Sequence, residues 1–197
     1  MRRVLVWLLL MGPVGFGLGG LSTAEAAQPD RVGAALHEEA QAMEAFVVAV
    51  SEEVRGGLAV STDARASFDD GVVAWSAAGE AFRREAWGEA FRQSIGPREL
   101  MRPLLVDAGE SGLRPASARL LKAWVEATGR RVVALEKRMK VYDVSVSARE
   151  SLLVGRATWD EARIACKEGR TGTCVRKLCA SLKELDGVVR EIYPDAR

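Results

Sequence analysis

Apolar side chains recur at alternating steps of three and four residues along most of this chain. In the first such stretch they fall at Leu36, Ala40, Met43, Val47, Val50 and Val54. This spacing puts the apolar side chains on one face of an α-helix. We therefore predict a helix over 30–55, which starts near Asp30 and ends at Gly56-Gly57. The intervening glutamates are predicted to face solvent: Glu38, Glu39, Glu52 and Glu53.

Similar patterns predict five further helices, over 62–94, 98–106, 116–154, 158–167 and 174–193. The most regular stripe belongs to 116–154, where no Gly or Pro occurs after Gly129. Gly96-Pro97 is expected to separate the first two of these helices. Gly155 is expected to end the long helix, because Thr158 and Glu161 then match a capping box that starts the next one.

These stripes predict an all-α protein, an antiparallel up-and-down bundle of four to six helices. Apolar side chains every 3.5 residues on average let neighbouring helices pack at small crossing angles. Phe and Trp within the stripes favour a globular core over an intermolecular coiled coil. No pattern of residue types recurs at a period typical of solenoids.

The first 26 residues have the features of a signal peptide. Arg2 and Arg3 precede Val4–Leu21, which has 18 uncharged residues, and Ala24-Glu25-Ala26 provides a cleavage site after Ala26. The expected product is a single helical domain over 27–197, located in the periplasm or secreted. The alternative is a retained membrane anchor, for which 18 residues are just long enough. Pro13 and several glycines disfavour it, and no later stretch reaches the length of a membrane span.

Charge is unevenly distributed although the formal net charge is only +1. Residues 27–112 contain 15 acidic and 8 basic residues, whereas residues 113–197 contain 11 acidic and 18 basic ones. The two halves can neutralise each other when helices pack side by side, or the basic half can bind an anionic partner. Heptad-spaced cations on the long helix predict a basic face for such a partner, with the residues Arg130, Arg131, Lys137 and Arg138.

The anionic partner stays unidentified at this level. Phospholipid headgroups, an acidic protein and a polyanionic glycan all fit the chemistry of a basic face. Nucleic acid is not expected, because the chain contains no RNA- or DNA-binding motif and carries an export signal.

Three cysteines, Cys166, Cys174 and Cys179, lie near the C-terminal end. Cysteines so close together tend to oxidise in an exported protein. If two helices fold back on each other near Arg170, position 166 comes to lie opposite 174. We therefore predict a Cys166–Cys174 disulfide, with Cys166–Cys179 as the alternative. The spacing matches no common zinc site.

The sequence contains no pattern that indicates catalysis, a metal or a cofactor. His37 is the one histidine, and neither a Gly-x-Ser-x-Gly elbow nor a Cys-x-x-Cys-His haem motif occurs. We therefore predict a non-catalytic binding or structural protein of the bacterial envelope. One alternative is a bundle that binds a small molecule or non-covalent haem near Met43, Phe82, Met139 and Tyr142. The other alternative is a cysteine redox protein.

Overall fold

The computed structural model describes residues 30–141 and 143–194, and the predicted signal peptide and Tyr142 lie outside these ranges. Within them the chain forms α-helices joined by turns and loops and contains no β-strand, which confirms the all-α class. The six helices are α1 (Arg31–Arg55), α2 (Thr62–Arg83), α3 (Trp87–Ser111), α4 (Pro115–Met139), α5 (Val146–Lys167) and α6 (Thr171–Ile192).

The helices form a bundle in which each one packs mainly on a single partner. α2 packs on α3, α5 packs on α6, and α1 packs on α4. Contacts of α3 with α6 and of α4 with α5 join these pairs around one apolar core. The predicted stripe of α1 lies in this core, since all six of its apolar residues are buried. Burial of that face supplies most of the free energy that holds an amphipathic helix in place.

Polar side chains cap the starts of several helices, among them α1 and α4. Asp30 accepts hydrogen bonds from the backbone N–H groups of Val32 and Gly33, at 3.1 and 3.0 Å, and so caps α1. The start of α4 is capped from another helix, because the buried Glu53 of α1 accepts the backbone N–H of Arg114 and the hydroxyl of Ser117. The prediction that Glu53 faces solvent is therefore wrong.

The predicted boundary at Gly96-Pro97 is also wrong. The chain instead breaks at residues 84–86, where Glu85 has a φ of 56°, and α3 then continues through both Pro97 and Pro103. A proline inside a helix costs about 3 kcal/mol in isolation. The buried residues of α3 outweigh that cost because they keep the helical spacing across Pro97, at Ala90, Phe91, Ser94, Pro97, Met101, Leu104, Leu105 and Ala108.

The predicted helix over 116–154 is two helices. α4 ends at Met139 and α5 begins at Val146, because the Ser145 hydroxyl accepts the backbone N–H of Ala148 at 3.0 Å and caps the new helix. The apolar stripe predicted one continuous helix because it extended to Val146, but Val146 is 72% exposed rather than buried.

The predicted break at Gly155 does not occur, and the predicted helices over 98–106 and 158–167 are parts of longer ones. Thr158 lies inside α5, where its hydroxyl donates to the carbonyl of Val154 at 2.9 Å instead of capping a helix. Gly155 is retained because α6 approaches closely, and a Cβ at this position would lie 2.9 Å from Leu185 Cδ2.

Glycine also allows α4 and α5 to approach each other. A Cβ added at Gly129 would overlap the indole ring of Trp159, whose Nε1 donates to the carbonyl of Val125 at 2.7 Å. The large aromatic ring therefore lies directly against the backbone of α4. This contact sets the distance between the two helices.

Replacing Gly129 with alanine should lower the free energy of unfolding by about 1–3 kcal/mol, because the new methyl group collides with Trp159. The matched control is Gly187→Ala on α6, where the nearest atom, Ser151 Oγ, would be 3.8 Å away. That change should raise the free energy of unfolding by about 0.5–1 kcal/mol, since alanine favours helix more than glycine does. Urea unfolding followed by circular dichroism measures both, and equal effects would contradict the close approach.

Candidate functional site

A cluster of four charged side chains lies inside the bundle. The guanidinium of Arg131, which is 0% exposed, donates to Glu39 Oε2 at 3.0 Å and to Asp186 Oδ1 at 2.7 Å. Arg98 donates to the other oxygen of Asp186 at 2.6 Å and lies 3.7 Å from Glu39 Oε1. These four residues, which we call the buried ion cluster, come from α1, α3, α4 and α6.

The buried ion cluster is formally neutral, with two cations and two carboxylates. Burial by itself lowers the pKa of Arg131, but Glu39 and Asp186 outweigh this effect and raise that pKa above its ordinary value. Arg131 therefore carries its charge at neutral pH. Arginine suits this position because its planar guanidinium donates to two carboxylates at once.

The structure contradicts the predicted surface positions of Arg131 and Glu39. Both are buried, because each lies on the apolar face of its helix: Arg131 precedes the buried Leu135 by four positions, and Glu39 precedes Met43 by four. The sequence does contain a signal for this pairing. A charged residue at core spacing on one helix requires an opposite charge at core spacing on another.

The remaining residues of the predicted basic face do not form one surface. Arg130 is exposed and pairs with Glu38 across the α1–α4 contact, at 2.5 Å. Lys137 is exposed on α4, whereas Arg138 is half-buried near Tyr193 at the end of α6. Arg130, Arg131 and Arg138 thus all lie beside other helices of the bundle, whereas Lys137 is exposed on α4.

A different basic surface lies where α4 meets α5. A groove of about 370 Å³, which we call the α4–α5 groove, is lined by Glu136, Met139, Lys140, Arg149, Leu152, Leu153 and Arg156. Three cations and one carboxylate thus surround an apolar floor, and the carboxylate of Glu136 binds Arg156 at 2.5 Å. Sequence analysis missed Lys140, Arg149 and Arg156 as members of one site because it placed α4 and α5 in a single straight helix.

Another pocket, next to the buried ion cluster, is much smaller. Its volume is about 20 Å³, which admits about one water molecule. Met43, Trp124 and Cys179 are among its lining residues. It therefore does not hold an organic ligand in this conformation.

Cys166 and Cys174 lie at disulfide distance, with their Cα atoms 5.1 Å apart, which confirms the predicted pair. Cys166 is the second-last residue of α5 and Cys174 belongs to the first turn of α6, so the bond closes the turn between these helices. Both residues are buried, at 5% and 0% exposure. Reagents in solution therefore reach this bond poorly.

The residues of the predicted haem or small-molecule site are dispersed. Met43 lines the small pocket, whereas Met139 lines the α4–α5 groove. Phe82 packs against His37, with their ring centroids 5.8 Å apart, and Tyr142 lies outside the described residues. Sequence spacing could not show this separation, because it depends on how the helices are arranged.

In the described ranges no three His, Cys, Asp or Glu side chains are grouped as they would be around a metal ion. Within the same part of the chain, no helix combines the length and apolar character that crossing a membrane requires. Comparisons with known protein families, with curated proteins and with solved structures found no match.

Replacing Arg131 with methionine should lower the free energy of unfolding by about 3–5 kcal/mol, because Glu39 and Asp186 then share only Arg98 in a buried place. Arg130→Met, one residue earlier, is the matched control. Its side chain is 56% exposed, so we expect a loss below about 1 kcal/mol. Urea unfolding measures both variants, and similar losses would show that the buried ion cluster does not determine stability.

Cys179 should react slowly in the folded protein. Burial raises the pKa of its thiol to about 12, although Arg102 and Arg98 act in the opposite direction. Since the thiolate is the reactive form, alkylation should keep accelerating about tenfold per pH unit up to about pH 10, where a cysteine of ordinary pKa has levelled off. The urea-unfolded chain with its disulfide intact is the control, and a plateau in the folded protein below about pH 10 would contradict the raised pKa.

Proposed function

We propose that this chain is an exported, non-catalytic helical protein of the bacterial envelope that binds an anionic partner. The binding surface, which we call the basic edge, consists of the groove cations Lys140, Arg149 and Arg156 together with Lys137, which is exposed on α4 three positions before Lys140. It replaces the four-residue face expected from the sequence. The observation that carries the proposal is the α4–α5 groove, where cations outnumber carboxylates three to one around apolar side chains.

The ion pairs of the molecule explain why this edge is available. Several cations of the basic half neutralise acids of the acidic half, as in Arg130–Glu38 and Arg176–Glu110. In the part of the chain that the structure describes, Lys137, Lys140 and Arg149 form no ion pair. Packing between the halves therefore accounts for part of the charge asymmetry and leaves these three cations for a partner.

The N-terminal residues support export. Their charged, apolar and small-residue zones match a signal peptide that is cleaved after Ala26, which gives a mature chain of 27–197 in the periplasm or outside the cell. The Cys166–Cys174 disulfide is consistent with an oxidising compartment.

The helical arrangement we propose is an antiparallel, up-and-down bundle of one domain. Contacts between α1 and α4 support an antiparallel direction of these two helices. Glu39 contacts Arg131, whereas Glu53, later in α1, contacts Ser117, earlier in α4. Short turns at 84–86 and 168–170 similarly support hairpins of α2 with α3 and of α5 with α6.

Fractionation of a bacterium that expresses the chain tests export and anion binding together. We expect a processed chain that has lost residues 1–26, remains with the envelope at low salt, and is released at high salt because ions screen the attraction. The triple variant Lys137→Glu, Lys140→Glu, Arg149→Glu should be released at low salt.

The matched control reverses three exposed arginines far from this edge in the sequence, with Arg55→Glu, Arg65→Glu and Arg119→Glu. It changes the net charge equally and should behave like the parent chain. A full-mass chain in the cytoplasm would refute export. Equal release of both triple variants would refute the basic edge as the binding surface.

A further inference from the structure

We infer that the anionic partner is a lipid bilayer with acidic headgroups, and that the bundle docks on it with the end that carries the α4–α5 turn. This inference rests on the proposed function, because it uses the same cations. It adds the apolar side chains that surround them, which a polyanionic glycan would not require.

Exposed apolar side chains are concentrated at this end of the molecule. Ten large apolar residues of the described chain are exposed, and five of them lie between residues 133 and 154: Val133, Val141, Val146, Leu153 and Val154. Val141, Val146 and Leu153 are the most exposed of these five, at 78%, 72% and 69%. Scattered exposed apolar residues are ordinary on a protein surface, but a group of them next to cations indicates a contact surface.

The first turns of α5 combine the two kinds of side chain on one face. Val146, Arg149, Leu153 and Arg156 follow one another at steps of three, four and three residues, and all four are exposed. Such spacing aligns them along the helix. A face that mixes both kinds of side chain suits a membrane surface, since apolar side chains can enter the headgroup region while Arg and Lys bind phosphates at its edge.

The beginning of the described chain lies at the same end of the bundle. The hydroxyl of Tyr193 donates to Asp30, which caps the start of α1, and Glu191 accepts the backbone N–H of Ser145 at 3.1 Å. The starts of α1 and α5 and the end of α6 are therefore neighbours.

In the sequence, eight residues separate Asp30 from the apolar segment Val4–Leu21. Eight residues span at most about 29 Å. Until the leader is cleaved after Ala26, the end that we propose to dock is therefore held close to the bilayer, and the processed chain docks without this tether.

Vesicle co-sedimentation tests the inference with the chain as the exporting cell processes it. We expect binding to vesicles of equal parts phosphatidylglycerol and phosphatidylcholine, and little binding to phosphatidylcholine alone. The variant Lys137→Gln, Lys140→Gln, Arg149→Gln should bind anionic vesicles about 100-fold more weakly. Its control, Arg55→Gln, Arg65→Gln, Arg119→Gln, removes the same charge elsewhere and should bind like the parent chain.

A second pair of variants tests the apolar contribution, which separates a bilayer from other polyanions. Val146→Ser with Leu153→Ser should weaken vesicle binding by about tenfold. Val48→Ser with Val73→Ser removes two exposed apolar side chains on α1 and α2 and should have no effect. Circular dichroism of each variant verifies that its helices are intact.

The outcomes distinguish the two proposals. If a soluble sulfated polysaccharide binds through the basic edge and anionic vesicles do not, the lipid inference is overturned and the proposed function stands. If neither probe binds, the lipid inference is overturned, and envelope release of the charge-reversal variants decides whether the proposed function stands. Equal binding to anionic and neutral vesicles, or equal losses in a variant and its control, would also overturn the inference.

Discussion

The buried ion cluster determines how the rest of the bundle is assembled. Glu39, Arg98, Arg131 and Asp186 come from four helices, and each charge is compensated only when all four helices are in place. A buried charge without its partner costs several kcal/mol. When one helix shifts along another, an apolar contact loses much less free energy than that. The apolar core therefore supplies stability, and the cluster selects one relative position of α1, α3, α4 and α6.

The same cluster explains part of the unusual charge distribution. Acids of the first half and bases of the second half meet across α1 and α4, both inside the core and at its edge in the Arg130–Glu38 pair. One pair has the opposite arrangement, because the base Arg98 belongs to the first half of the chain and the acid Asp186 to the second. After these pairs are formed, the cations that remain along α4 and α5 define the surface to which we assign binding.

Local spacing predicted the helical class, the apolar face of α1 and the Cys166–Cys174 pair, because each depends on residues close together in sequence. It failed where contacts between helices decide the outcome. Pro97 is kept within α3 by buried neighbours on both sides, and Gly155 is kept within α5 by the approach of Leu185. Spacing also joined α4 to α5, because Val146 continued an apolar pattern although it faces solvent. The basic edge was missed for this reason, since it exists only when the chain turns between Met139 and Val146.

The Cys166–Cys174 disulfide cross-links one end of the chain and leaves the rest of the described residues without a covalent cross-link. Only eight positions separate the two cysteines, so the covalent link restrains the pair α5 and α6 and no other pair of helices. Elsewhere in the described chain, side-chain packing, ion pairs and hydrogen bonds hold the helices together without a covalent cross-link. A chain cut between Cys166 and Cys174 would keep α5 and α6 covalently joined, whereas a cut in the loop between α1 and α2, or between α3 and α4, would leave fragments held by noncovalent contacts alone. The turn between α5 and α6 should therefore tolerate proteolysis better than the other loops, and the segment between the two cysteines should resist extension under force.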